Sequence, residues 1–120
     1  MAFDWREYLG VARFLAGETG VVASTEAASR AAVSRAYYAA FGHARGYATQ
    51  RLAFAALGSG LDHANRRLHL RRAGMHRVAD RLDRLHQWRK ACDYDPAVRN
   101  LQQVLASSLT RAQMVLDELV

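Results

Sequence analysis

Residues 34–48 read SRAYYAAFGHARGYA, a stretch that sets four aromatic rings and a histidine among small side chains. Its apolar residues recur at spacings of three and four, the period of a helix with one buried face. The stripe consists of Val33, Tyr37, Ala40, Phe41, Ala44 and Ala48. This pattern predicts a long helix whose rings pack inside a helical bundle and whose small residues let another helix come close.

The other side of this helix is more polar but still carries a ring. Its members are Arg35, Tyr38, Gly42, Arg45 and Thr49. A second bundle, such as a symmetric copy of the chain, would cover this side. The sequence leaves open what packs there.

The rest of the chain keeps the helical period, with one proline and no run of alternating strand pattern. We therefore expect an all-α fold, an antiparallel bundle with a four-helix core and about five helices, as one domain over residues 1–120. The helices are predicted over about 4–15, 24–57, 62–74, 75–92 and 95–120.

The ends of these helices carry recognisable signals. Ser24 or Thr25 can cap the second helix, and the glycines in GSG at 58–60 end it. In the fourth helix Val78, Leu82 and Leu85 are expected to face the core. The last helix has the clearest start, because Asp95 suits an N-cap and Pro96 suits the first helical position.

Composition excludes several classes of protein. Hydrophobic residues make up 51% and charged residues 23%, so disorder is not expected. A single cysteine, Cys92, forbids an internal disulfide and favours a reducing cytoplasm. The start MAFDWREYLG lacks the apolar centre of a signal peptide, and no stretch approaches the roughly 20 apolar residues of a membrane span.

Positive charge concentrates in residues 63–90. This segment holds nine basic residues against Asp80 and Asp83, a net +7 where the whole chain has +6. The basic residues are Arg66, Arg67, Arg71, Arg72, Arg77, Arg81, Arg84, Arg89 and Lys90. Such a segment can bind phosphates or an acidic partner, and the alternative is a solvated helix face.

The usual signatures of catalysis and metal binding are missing. There is no Gly-rich phosphate loop, HExxH helix, cysteine pair or G-x-S-x-G. His63, His69, His76 and His86 are not spaced as ligands on one helix, so neither a metal nor another cofactor is expected.

Two segments together resemble the HEPN domain, a nucleotide-binding helical fold of prokaryotes and higher eukaryotes. They are RAYYAAF at 35–41 and RKACDY at 89–94, and the likeness covers about residues 25–115. Where the family usually has a histidine after the phenylalanine, this chain has Gly42 and then His43. The resemblance implies a small helical bundle, often a homodimer, found with nucleotidyltransferases, toxin–antitoxin pairs or anti-phage systems.

Ribonuclease members of that family carry an arginine followed four to six residues later by a histidine. Arg71 with His76 and Arg81 with His86 fit this spacing, although sixteen arginines and five histidines in 120 residues give about two such pairs by chance. At the family's usual position before the last helix this chain instead has Arg89, Asp93 and Tyr94. An aspartate there lacks histidine's titration near neutral pH, so a structural pairing with Arg89 is favoured.

Three functional hypotheses follow. The first is a module without catalysis, or with weak catalysis, that binds RNA, a nucleotide or a nucleotidyltransferase through the basic segment. The second is a metal-independent endoribonuclease in which Arg89 or Arg81 stabilises phosphate charge and His86 carries a proton. The third is an interaction protein whose arginines are only solvated surface.

Overall fold

The computed structural model describes residues 4–17, 26–51 and 61–120, and every regular element in them is an α-helix. The five helices are α1 (Arg6–Leu15), α2 (Glu26–Arg51), α3 (Leu61–Arg72), α4 (His76–Tyr94) and α5 (Leu101–Glu118). The prediction of an all-α bundle is confirmed. The predicted caps at Ser24 or Thr25 and the break at 58–60 lie outside the described residues.

Helix α2 is the centre of the bundle and contacts each of the other four helices. Its predicted apolar stripe is buried at Val33, Tyr37, Ala40, Ala44 and Ala48, and Phe41 is half-buried against the same core. The rings of residues 34–48 are thus mainly packing groups. α4 and α5 complete the core with Val78, Leu82, Leu85, Leu105, Leu109, Val115 and Leu116.

Helix α1 of the same chain covers part of the polar side of α2. The indole of Trp5 packs so closely on Gly42 that a Cβ at this position would overlap the ring. The ring of Tyr8 lies 5.6 Å from the Arg35 guanidinium. A second bundle is therefore not needed at Gly42, although Arg45 and Thr49 remain exposed.

The turn after α3 follows the Schellman pattern of a helix C-terminus. Gly74 has φ +81° and donates to the Arg71 carbonyl, and Met75 donates to the Leu70 carbonyl. Glycine adopts this left-handed conformation without steric cost. The predicted end of the third helix near Gly74 is thereby confirmed.

The predicted start of the last helix is wrong. α4 continues to Tyr94, Asp95 is its extended C-cap, and α5 begins at Leu101 after Asn100 in the left-handed region with φ 55°. A residue before proline is pushed toward extended backbone, which suits Asp95 for ending a helix. Arg30 fixes the connection by donating to the carbonyls of Cys92, Asp95 and Pro96.

Among the described helices, none has the length and apolar character that crossing a membrane requires.

Candidate functional site

Helix α4 sorts its side chains onto different sides. Arg77, Arg81, Arg84 and Trp88 are spaced by four, three and four residues and therefore form one ridge. Val78, Leu82 and Leu85 face the core, and His86 lies at the contact with α2 and α3. The ridge and His86 are thus on different sides of the helix.

The ridge meets Arg111 of α5 at a concave surface. A cavity of about 340 Å³ is lined by Arg77, Asp80, Arg81, Arg84 and Arg111. We call Arg77, Arg81, Arg84, Trp88 and Arg111 the α4–α5 basic surface. Arg111 lies outside the basic segment found in the sequence, and only the packing of α5 against α4 brings it here.

The carboxylates near this surface are already paired. Asp80 lies 2.7 Å from the Arg71 guanidinium of α3, and Glu118 of α5 pairs with Arg81. Within the part of the chain that the structure describes, no carboxylate pairs with Arg77, Arg84 or Arg111. These three guanidiniums leave the cavity strongly positive.

Trp88 lies at one end of the basic surface, and the guanidiniums of two arginines lie over its ring. The Arg84 guanidinium is 5.8 Å and the Arg111 guanidinium 5.0 Å from the indole ring, both within cation–π range. The indole is half-buried and packs against the core. One anchored ring therefore holds an arginine from each of the two helices.

A second group of polar side chains lies where α2, α3 and α4 meet, and we call it the histidine cluster: Tyr37, His63, Arg67 and His86. The buried Tyr37 hydroxyl hydrogen-bonds with His63 Nδ1. The His63 and His86 rings are stacked, with centroids 5.1 Å apart and planes inclined by 9°. Arg67 donates from Nη1 to His86 Nδ1 over 3.3 Å.

The surroundings of the histidine cluster keep His86 neutral. Burial, together with the positive charge of Arg67 and the neighbouring His63, lowers the pKa of His86 to about 4. The geometry agrees, because an arginine can only donate and Nδ1 must therefore be free to accept. Burial raises the pKa of Tyr37, so its phenol stays protonated.

The Arg–His pairs predicted from spacing are not brought together. Arg81 is directed to Glu118 on α5, whereas His86 contacts α2 and α3. Arg71 is directed to Asp80 and to Asp83, 3.8 Å away. The arginine beside His86 is Arg67, nineteen residues earlier and on another helix. No local spacing in the sequence could show this pair.

Arg89 and Asp93 join α4 to α2. Arg89 Nε lies 2.9 Å from Asp93 Oδ2, and the same carboxylate accepts a hydrogen bond from the Ser34 hydroxyl. The Arg89 guanidinium also lies over the rings of Tyr38 and Tyr94. Arg89 is thus placed as a packing and pairing group, and Tyr94 is 72% exposed at the end of the helix.

The remaining candidates for phosphate binding are distributed differently. Arg66 is completely buried and lies over the Phe41 ring, so it contributes nothing to a surface. Arg67 pairs with Asp83 at 3.0 Å and only 17% of its side chain is exposed. Arg72 is exposed at the end of α3. The basic segment is therefore not one continuous basic face.

The described residues contain no group of three histidine, cysteine, aspartate or glutamate side chains suited to hold a metal ion. Cys92 is buried, and burial raises the pKa of its thiol. A buried thiol of this kind is a packing group.

Comparison with known proteins adds no name to these features. No family model, no curated protein and no solved structure matches this chain.

Proposed function

We propose that this protein is a nucleic-acid-binding module that holds RNA through phosphate contacts at the α4–α5 basic surface. The observation that carries the proposal is the convergence of Arg77, Arg84 and Arg111, none of them paired with a carboxylate in the described chain, on one cavity. Guanidinium groups bind phosphate oxygens through paired N–H donors, which makes arginine the favoured residue for this ligand.

The rest of the bundle supports this role by keeping the surface rigid. Arg77, Arg81 and Arg84 stand on consecutive turns of a helix whose neighbouring side is buried at Val78 and Leu82. The spacing of their Cα atoms is therefore fixed before a ligand arrives. A preformed array loses less conformational entropy on binding than three arginines on a loop.

The proposal is tested by comparing two double variants with the same loss of charge. Arg77→Ala/Arg84→Ala removes two exposed arginines from the basic surface, and Arg45→Ala/Arg99→Ala removes two exposed arginines elsewhere. Binding of a labelled single-stranded RNA is measured by fluorescence anisotropy. We expect a loss of at least about tenfold in affinity for the first double variant and less than about twofold for the second.

Equal losses in the two variants would show that RNA responds only to net charge, and would contradict a defined surface. Absence of RNA binding by the wild-type protein would also overturn the proposal. In that case the arginines are solvated surface or contact a protein.

A second candidate function, a metal-independent endoribonuclease, is favoured by one observation, the contact of Arg67 with His86. A neutral imidazole can accept the proton of a ribose 2′-hydroxyl, and a guanidinium can stabilise the charge that then develops on phosphorus. A phosphate bound beside His86 would raise the pKa of His86 and so strengthen it as a base.

The assay for this candidate is RNA cleavage in the presence of EDTA. It predicts cleavage by the wild-type protein, loss of cleavage in His86→Ala and Arg67→Ala, and unchanged cleavage in Arg45→Ala, which removes an exposed arginine of α2 outside both sites. Intact RNA with folded wild-type protein under these conditions contradicts it.

Membership of the HEPN family and a nucleotidyltransferase or antitoxin partner stay predictions that rest on the sequence resemblance. A gene for a nucleotidyltransferase beside the gene for this protein would support the partner. Co-purification of the two products would test it directly.

A further inference from the structure

The contact of two arginines with one indole is the most distinctive feature of the α4–α5 basic surface. Arg84 precedes Trp88 by one turn of α4, and Arg111 reaches the same ring from α5. Trp88 packs against the buried core, so its ring is held by the bundle rather than by the arginines. Arg84 itself is exposed, and Arg111 is half-buried.

Stacking on a ring occupies the flat face of a guanidinium but not its edge. All five N–H donors of arginine lie in the guanidinium plane and point outward from the edge. An arginine held over an aromatic ring therefore keeps its donors available for an oxyanion while losing much of its freedom to move. The guanidiniums of Arg84 and Arg111 lie over the Trp88 ring, and they border a cavity that is also lined by Arg77 and Arg81.

The same contact limits what else the ring can bind. A nucleobase that stacked on Trp88 would compete with the guanidiniums of Arg84 and Arg111 for the indole. Displacing them would also move two of the guanidiniums away from the positions in which they face the cavity. Phosphate binding and base stacking on this ring therefore oppose each other.

We infer that Trp88 is a positioning residue that orients Arg84 and Arg111 toward the phosphodiester backbone, so that the surface binds RNA by its backbone and not by its bases. This inference rests on the proposed function and adds the part of RNA that is recognised. It assigns Trp88 a role in binding without contact to the ligand. It also predicts that binding is independent of RNA sequence.

The first experiment separates backbone from base. Fluorescence anisotropy is measured with a labelled single-stranded RNA of mixed sequence and with an oligonucleotide of the same length and charge made of abasic sites. The inference predicts dissociation constants within about threefold of each other, because both ligands present the same phosphates. Tight binding of the RNA with at least about tenfold weaker binding of the abasic strand would overturn the inference and leave the proposed function standing.

The second experiment tests Trp88 as a positioning residue. Trp88→Leu keeps an apolar side chain but removes the ring, and Trp88→Phe keeps a ring over which the guanidiniums can stack. We expect about five- to tenfold weaker RNA binding for Trp88→Leu and less than about threefold for Trp88→Phe, with circular dichroism melts confirming that both variants are folded. Wild-type affinity in a folded Trp88→Leu protein would overturn the inference, as would equal losses in the two variants.

The two failures are distinguishable. If the wild-type protein binds neither strand, the proposed function is wrong. If it binds RNA and the Trp88 or abasic results contradict expectation, only the backbone inference is wrong.

Discussion

At the scale of single residues, His86 shows how neighbouring helices set the charge of a side chain. The groups around it are positive or neutral: Arg67 and His63 on α3, Arg89 and Lys90 on α4, and the ring of Tyr37 on α2. Asp83 is nearby but is taken up by Arg67. Nothing in this shell favours a second proton, so the folded chain holds His86 neutral.

This depressed pKa makes the free energy of unfolding depend on pH. The ordinary pKa of 6.5 applies to the unfolded chain, whereas the folded chain has about 4. Between these values the unfolded state binds a proton that the folded state does not, so stability falls as pH drops from about 6.5 toward 4. Above this window His86 has no effect.

We expect His86 to cost about 1 kcal/mol of stability at about pH 5 relative to about pH 7, a value reduced for solvent screening of a half-buried group. Urea unfolding at both pH values measures this difference in the free energy of unfolding. His86→Gln is the control, because the carboxylates contribute equally to the pH dependence of both proteins. The pH dependence should be smaller in His86→Gln. An identical dependence in both proteins would show that His86 is not held neutral.

Gly42 is a second residue whose role depends on a single neighbour. A methyl group at this position would overlap the Trp5 indole, so Gly42→Ala must displace α1 or the ring. We expect a loss of about 1–3 kcal/mol in the free energy of unfolding, measured by urea denaturation.

Gly46 supplies a matched control one turn later on the same helix. A Cβ there has no atom within 4 Å, so Gly46→Ala should be neutral or stabilising by about 0.5–1 kcal/mol, because alanine favours the helix. Equal effects of the two substitutions would mean that α1 does not pack on Gly42 as described.

At the scale of elements, the connection from α4 to α5 holds the main disagreement between sequence and structure. Asn100 precedes α5 with φ 55°, which alanine adopts only with steric strain. Asn100→Ala is therefore expected to lose about 1 kcal/mol of stability in urea denaturation, and Asn100→Gly should lose nothing.

Pro96 provides the comparison for that prediction. Because it lies in the connection and not at the first position of a helix, Pro96→Ala should change stability by less than about 0.5 kcal/mol. Its carbonyl, which accepts a hydrogen bond from Arg30, is retained in the variant. No loss of stability in Asn100→Ala would contradict the left-handed conformation of Asn100 and the start of α5 at Leu101.

The helices themselves follow from periodicity, and the connection does not. Spacings of three and four identify the buried faces of α2 and α4. Apolar residues at these spacings share one face of a helix, and in a bundle that face packs against the core, as Tyr37, Val78 and Leu82 do. The start of α5 depends on Arg30, which comes 65 residues before Asp95 and holds its carbonyl. A capping rule that reads only neighbouring residues cannot include such a contact.

The same division explains what could be predicted of the candidate site. Arg77, Arg81 and Arg84 belong to one helix and were recognisable as basic residues in the sequence. Arg111 and the pairing of Arg67 with His86 come from contacts between helices, and the burial of Arg66 depends on α2 and α3 meeting. The net charge counted along a sequence segment is therefore larger than the charge that the folded segment presents on its surface.

At the scale of the whole molecule, the homodimer stays a prediction. Val11, Phe14 and Met114 are each more than 40% exposed, and Arg13 of α1 hydrogen-bonds Gln113 of α5 beside them. Light scattering at micromolar protein concentration measures the molar mass in solution and so distinguishes a dimer from a monomer. A dimer that becomes a monomer in Phe14→Glu would place the contact on this face, and a monomeric wild-type protein would contradict the prediction.

The central claim is that the protein binds RNA through a small number of phosphate contacts at the α4–α5 basic surface. The most direct measurement is the affinity of the wild-type protein for single-stranded RNA across a range of salt concentrations. With Arg77, Arg84 and Arg111 as the phosphate contacts, the logarithm of the binding constant should fall against the logarithm of salt with a slope of about −2. Binding with a slope near zero, or no binding even at low salt, would contradict the account.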